Sequence, residues 1–369
     1  MAAGRGSRMK LLVTALLSDY KLRTKLIGLV YSNKVDEVIL VRRWRFSGLQ
    51  KIRNVTPSGL CRDWKWLYEI WRFKTILRLT QTEKIDVLIG IQLVLHGLQT
   101  ALVGRLTGLP YVLSVIGKDV HRDLFSVLKG PFLSWALRGA RGIVVMGPRA
   151  KQILRALPVA DGRLFEIQNY QDPKRFTPDT NGRKVFDLLF VGALVRRKQL
   201  GRLLRTVADA SKTLPDIRLG LLGRGPEEDA LRVLTRRLSI ERNVTFLGHD
   251  PHVERHLQAS RVFVMSSSFE GVPAAAIEAM FCGLPVILTD VGDIPGVFVH
   301  DHNCLLVPEG DHAALVSAIT TLLTETRTYA RLQQGALQTR ETHLELWDLT
   351  GQTDAWEMVI NHVNPPLKA

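Results

Sequence analysis

The feature that most constrains this chain is a repeated alternation. Short, nearly continuous apolar runs are separated by longer stretches whose apolar residues recur at helical spacing. Runs at residues 11–17, 37–41, 85–91, 111–115 and 142–146 predict buried strands, with helices over 62–79, 98–106 and 149–157 between them. Strands buried on both faces and linked by helices require a parallel sheet wrapped by those helices. The pattern then restarts, with strands at 187–191, 217–222, 244–247, 262–265, 286–289 and 304–307 and helices at 200–214, 227–238, 273–281 and 313–323. The expected fold is therefore α/β, with two Rossmann-like doubly wound domains facing a cleft. The break falls in residues 168–183, which hold Pro173, Pro178 and Gly182. Expected limits are 1–175 for the first domain and 176–345 for the second, with a helix in 346–369 packing back on the first. Doubly wound sheets bind ligands beyond the carboxyl ends of their strands, so functional residues are sought there.

With 369 residues, 46% of them hydrophobic, the chain can bury two cores, which excludes a mainly disordered protein. Its net charge of +15 is unevenly spread. Residues 1–178 hold 30 basic and 12 acidic side chains, and the rest hold 20 and 23. The basic excess lies wholly in the first half and predicts an anionic partner there, such as a membrane surface. Arg42, Arg43, Arg45, Lys51 and Arg53 are the expected cations, beside Trp44 and ahead of Trp64, Leu67, Tyr68 and Trp71. No run reaches the roughly 20 apolar residues a spanning helix needs. Residues 11–17 read as a buried strand rather than a signal peptide, because no small-residue cleavage site precedes Asp19. Three widely spaced cysteines, Cys61, Cys282 and Cys304, suit neither a disulfide framework nor a metal site. A cytoplasmic protein, peripheral at the inner membrane face, is expected.

The richest stretch runs from Ser268 through Glu270, Gly271, Val272, Pro273 and Ala274 to Glu278. It follows a strand, and Pro273 with three alanines behind it marks a helix start. Glu270 then lies on the loop and Glu278 inside the helix. The open amides of Gly271 to Ala274, with the helix dipole behind them, suit a phosphate. Gly192 opens the loop that leaves the first strand of this domain, and Arg196, Arg197 and Lys198 follow it. Gly223 opens the next strand end. Cations at such a position match a diphosphate.

Taken together, FEGVPAAAIEAMFCGLPVILTDVGDIPGVF, VGALVRRK, LLGRGPEEDAL and HDHNCLLVPEGDHAAL resemble the retaining GT-B glycosyltransferases of family 4 over nearly all of 185–325. The first half resembles them more loosely, through IGIQLVLHGLQTALVGRLTGLPYVLSVIGKDVH and IQNYQDPKRFTP. The resemblance implies a nucleotide-diphospho-sugar donor in the second domain. Lys198 and Arg197 would meet the diphosphate, and Glu278 the ribose hydroxyls. Glu270 with the stretch Gly271, Val272, Pro273 and Ala274 would surround sugar and phosphate, with Gly192 and Gly223 in the donor loops. Asp119 matches the family's Gly-x-Asp on the acceptor side. The chain departs from the family at Ala193, where an arginine is usual, at Ile116 in place of a histidine, at Asn169-Tyr170, and at Gly296.

The reaction expected is hexosyl transfer to a glycan or lipid-linked acceptor, with Lys198, Glu270 and Asp119 as the catalytic group. No cofactor is expected. The chain holds no Asp-x-Asp, so the transfer is expected to be independent of metal. His96 and His121 are further cleft candidates. A sugar-nucleotide epimerase or hydrolase on the same fold is the alternative. A nucleic-acid-binding module is disfavoured, because no recognition motif accompanies the basic stretch.

Overall fold

The computed structural model describes residues 8–364 apart from Lys118, Pro158, Ala160, Thr180 and Asn181. Arg5 and the rest of residues 1–7, part of the expected linker, Lys118 of the Gly-x-Asp stretch, the His121 side chain and residues 365–369 of the expected C-terminal segment lie outside the described residues. The chain divides into two compact units. One comprises Met1–Tyr170 with Glu345–Ala369, and the other Gln171–Leu344.

The first unit holds seven parallel strands: β1 (Met9–Ala15), β2 (Val35–Val41), β3 (Ile52–Val55), β4 (Val87–Ile91), β5 (Tyr111–Ser114), β6 (Gly142–Val145) and β7 (Leu164–Glu166). Their order is β3-β2-β1-β4-β5-β6-β7, so the sheet reverses direction between β1 and β4. Alternate residues of each strand feed two cores. Leu12, Ile39, Leu88 and Leu113 face one layer, while Leu11, Val13, Val38 and Ile89 face the other. The second layer is closed by helix Asp19–Tyr31 and by the C-terminal helix Leu349–Val363. Trp356 of that helix is buried, and its Nε1 donates to the Lys25 carbonyl at 3.1 Å.

The second unit holds six parallel strands: β8 (Phe186–Val191), β9 (Leu219–Leu222), β10 (Val244–Gly248), β11 (Ser260–Met265), β12 (Val286–Thr289) and β13 (Cys304–Val307). Their order, β10-β9-β8-β11-β12-β13, is the Rossmann arrangement with its switch point between β8 and β11. Helix Leu200–Ala210 buries Leu200, Leu203, Leu204 and Val207, the one-face spacing of an amphipathic helix. Helices Val253–Gln258 and Ala274–Phe281 lie beside β11.

The observed elements depart from the sequence reading in four ways. β3 and β7 were not expected, because edge strands bury less side-chain surface and carry weaker apolar patterns. The expected helix over 62–79 is broken at Trp64, whose backbone is extended, into Leu60–Asp63 and Lys65–Thr82. The expected linker is packed rather than free. Phe176 is buried and Arg175 pairs with Glu254 at 2.7 Å, so the division falls at Tyr170 instead of residue 175. Finally, most of the expected membrane-facing cations are used internally. Arg42 is buried against Asp19, Lys51 donates to the carbonyls of Ser32 and Val35, and Arg53 pairs with Glu37 and Glu83.

Because Trp356 fills the layer between the first and last helices of its unit, Trp356→Ala should destabilise that unit by about 3–5 kcal/mol. Urea unfolding followed by circular dichroism checks this, and a cost under about 1 kcal/mol would mean that the C-terminal helix does not complete the core.

Candidate active site

Strand order builds the candidate site. β8 lies between β9 and β11, so the loops that leave these three strands meet at one edge of the second unit. The loop after β8 contains Gly192 and a 3-10 turn, Arg196–Lys198. The three cations lie on that turn and not in the helix that follows. Gln199 takes a left-handed conformation, φ 52°, and the helix starts only at Leu200. The turn is tied to the loop after β11. Ser268 N donates to the Arg197 carbonyl at 2.8 Å, and Ser266 Oγ donates to the Lys198 carbonyl at 3.1 Å.

This lacing places Lys198 Nζ 2.7 Å from Glu270 Oε1, with Arg197 Nη1 at 3.1 Å from the same oxygen. Lys198 and Glu270 are both buried, while Arg197 is half exposed. Burial alone would raise the Glu270 pKa. The charges of Lys198 and Arg197 outweigh it and hold the carboxyl below its usual range. Lys198 Nζ also lies 3.7 Å from Met265 Sδ and 6.0 Å from the centre of the Phe190 ring, so its ammonium sits partly in apolar surroundings.

Two glycines make the close approaches possible. A Cβ on Gly223, φ 146°, would stand 1.9 Å from the Gly192 carbonyl oxygen, so the loops after β8 and β9 can touch only without side chains there. A Cβ on Gly292, φ 57°, would stand 1.7 Å from the Glu270 carbonyl oxygen. Gly292 and the buried Asp293 bring the loop after β12 against Glu270, and Asp293 N donates to that carbonyl at 3.3 Å. This contribution was not anticipated. Its signal was the glycine and aspartate that follow β12 in Thr289-Asp290-Val291-Gly292-Asp293.

Helix Ala274–Phe281 starts immediately after Glu270, Gly271, Val272 and Pro273. Pro273 is the residue before the first turn, and no side chain caps the helix. The Ala274 and Ala275 amides have no acceptor within the helix, so this end carries partial positive charge. Glu278 is buried one turn further along.

Asp119 and His96 belong to the first unit. Asp119 is buried, and its Oδ2 accepts from the Leu93 and Ile116 amides at 2.8 and 3.1 Å, tying the loop after β4 to the loop after β5. Burial raises its pKa against those hydrogen bonds. His96 is also buried. Its Nε2 faces Arg72 Nη1 at 2.7 Å and its Nδ1 faces Thr14 Oγ1 at 2.7 Å. Arginine can only donate, so Nε2 accepts and the ring proton sits on Nδ1. Burial, and then Arg72, hold the imidazole neutral well below its usual pKa. Among the described residues no cluster of three or more His, Cys, Asp or Glu is placed to hold a metal.

The overall architecture matches solved GT-B structures. Anabaena HepE in complex with UDP-glucose superposes with a TM-score of 0.77 at 16% identity over 96% of this chain and all of that one. Sucrose-phosphate synthase from Thermosynechococcus elongatus gives 0.77 at 17% identity, covering 96% and 98%. The fold is thus GT-B, with two Rossmann-like units in one chain. Residues 174–339, nearly the whole second unit, match the family described as glycosyl transferases group 1, so the second unit is a domain of that kind. Among curated relatives, a phosphatidylinositol N-acetylglucosaminyltransferase subunit of Arabidopsis thaliana is 27% identical over 68% of this chain and 57% of its own. The lipopolysaccharide core biosynthesis glycosyltransferase LpsD of Rhizobium meliloti is 31% identical over 42% and 45%. The chain spans about half the length of these curated relatives.

The buried pair yields a stability prediction. Removing Lys198 leaves the buried Glu270 charge with the half-exposed Arg197 as its facing cation, so Lys198→Ala should cost about 3 kcal/mol. Adding Glu270→Ala should cost less than the sum of the two, and additive losses in urea unfolding would mean the pair does not act as a unit. The folded Glu270 pKa lies below its unfolded value. Its contribution is therefore present above the ordinary carboxylate range, near 4.3, and is lost as pH falls through the folded value. Acid unfolding should accordingly be less steep in Glu270→Gln.

Proposed function

We propose that this chain is a retaining glycosyltransferase that moves a hexosyl group from a nucleotide-diphospho-sugar to a glycan or lipid-linked acceptor. The observation that carries the reading is the Lys198–Glu270 pair at 2.7 Å, beside an uncapped helix start, at the β8/β11 switch point of a glycosyl transferases group 1 domain. That a structural neighbour, HepE, holds UDP-glucose adds support for such a donor.

In this reading the donor diphosphate lies against the amides of Gly271, Val272, Ala274 and Ala275, with Lys198 and Arg197 facing it. Glu270 holds both cations in place beforehand, which lowers the cost of ordering them when the phosphates arrive. As the bond from the sugar to the phosphate breaks, negative charge grows on the departing diphosphate. Prearranged cations and amides then stabilise the transition state more than the ground state. The diphosphate oxygen takes the acceptor hydroxyl proton on the face it leaves, so the new bond forms with retained configuration. Glu278, buried in the helix, accepts from the ribose hydroxyls. Asp119 holds the β4 and β5 loops from which the acceptor side is built.

A panel of sugar nucleotides scored by thermal shift tests the donor. A true donor at ~100 times its Kd adds about 2.7 kcal/mol, and no stabilisation by any member would overturn the reading. Glu278→Ala should weaken that donor by about 1.5–3 kcal/mol in a chain that circular dichroism shows to be folded. With an acceptor in hand, Lys198→Ala should lower kcat more than it raises KM, and turnover should persist in excess chelator. A purely KM effect would remove Lys198 from the transition state.

A further inference from the structure

A surface of the first unit shows a combination that the second unit's site leaves unexplained. Trp44, Leu60, Trp64, Trp66 and Ile70 are all about half exposed or more, at 53, 70, 57, 58 and 48%. Three of the protein's seven tryptophans therefore stand in solvent within 23 positions of sequence. Helix Lys65–Thr82 already spends its inner face on Tyr68, Arg72, Thr75, Ile76 and Leu79, so the outward apolar side chains are not waiting for the core.

The residues form one patch. Arg43 Nε and Nη2 donate to the Arg62 and Asp63 carbonyls at 2.6 and 2.8 Å, which pins the Trp44 loop to the Leu60–Asp63 turn. The Arg62 and Arg43 guanidinium carbons lie 5.4 and 5.7 Å from the Trp44 ring centre. Trp66 and Ile70 are one helical turn apart, and the same stripe continues through the exposed Lys74 and Arg78. Arg45, Arg62 and Lys65 are exposed around it. Between residues 42 and 80 the acids are Asp63 and Glu69, which pair with Arg62 and Arg72.

We propose that this patch docks the first unit on an anionic lipid bilayer. Indole rings bury their apolar body at the headgroup level while keeping Nε1 wet, and long cationic side chains reach from such a helix to lipid phosphates. Five exposed cations around four apolar anchors and Trp44 complement a negative surface. Among the described residues no helix is long and apolar enough to cross a membrane, so the attachment is peripheral. The inference deepens the proposed function by naming the surface on which a lipid-linked acceptor would be met. Docking is measured without donor or acceptor, so either reading can fail alone.

The test uses the full chain with phosphatidylcholine vesicles, with and without phosphatidylglycerol. Wild type should sediment with the anionic vesicles at ~0.1 M salt and be released at ~1 M, where screening acts within about 3 Å. Its tryptophan emission should shift to the blue and be quenched by lipids carrying a nitroxide near the headgroup. The triple variant Trp64→Ser, Trp66→Ser, Ile70→Ser should partition at least tenfold less. Arg62→Gln, Lys65→Gln and Lys74→Gln should each cost about fivefold. Unchanged melting curves and far-ultraviolet circular dichroism would show both sets of variants to be folded. Wild type left in the supernatant, unquenched emission, or serine variants that sediment like wild type would overturn the proposal. So would a wild-type oligomer that the serine variant disperses while neither binds vesicles, since the patch would then be a protein interface.

Discussion

The second unit is organised around one costly interaction, the buried contact of Glu270 with Lys198. Taking two charges out of water costs several kcal/mol per ion, and attraction offsets that only if the geometry is held closely. Here four loops hold it. The loop after β8 is bonded to the loop after β11 through Ser266 and Ser268. The loop after β12 presses its Gly292 against the Glu270 backbone. Gly223 lets the loop after β9 close against Gly192 behind them. A side chain at either glycine would separate loops whose approach the ion pair requires, so the glycines and the charges constrain one another.

How far the sequence revealed this depends on what each residue's neighbours decide. The inner strands were legible because burial on both faces leaves unbroken apolar runs, as in Val87–Ile91 and Val286–Thr289. β3, with Arg53 and Asn54 among its four residues, was not, since its place comes from pairing with β2 rather than from its own pattern. The candidate site residues of the second unit follow strands whose order is set by the fold, and spacing along the chain was enough to mark them. The left-handed Gln199 and the arrival of Asp293 depend on contacts between distant segments, which spacing does not carry.

Charge was the least legible property. A run of five cations near β3 looks like a surface for an anion, yet Arg42, Lys51 and Arg53 are consumed by Asp19, two carbonyls and a pair of glutamates. The break at Trp64 sets the helix so that Tyr68 turns inward while Trp66 turns out. Counting charges in a sequence gives their number, and only the packing says which remain available.

The same distinction governs the polar residues of the first unit. His96, Arg72 and Asp119 are types that serve as acids, bases or anion ligands, and they gather near the carboxyl ends of β1, β4 and β5. Each is buried with its hydrogen-bonding capacity turned inward, on Thr14, Glu69, Gln99 and the amides of Leu93 and Ile116. They fix a loop that otherwise resists its own conformation, for Gln92 and Leu95 both take positive φ, at 74° and 66°. A neutral His96 is needed there, because a second proton would set two cations 2.7 Å apart out of water. The polarity of this region is thus spent on holding a shape.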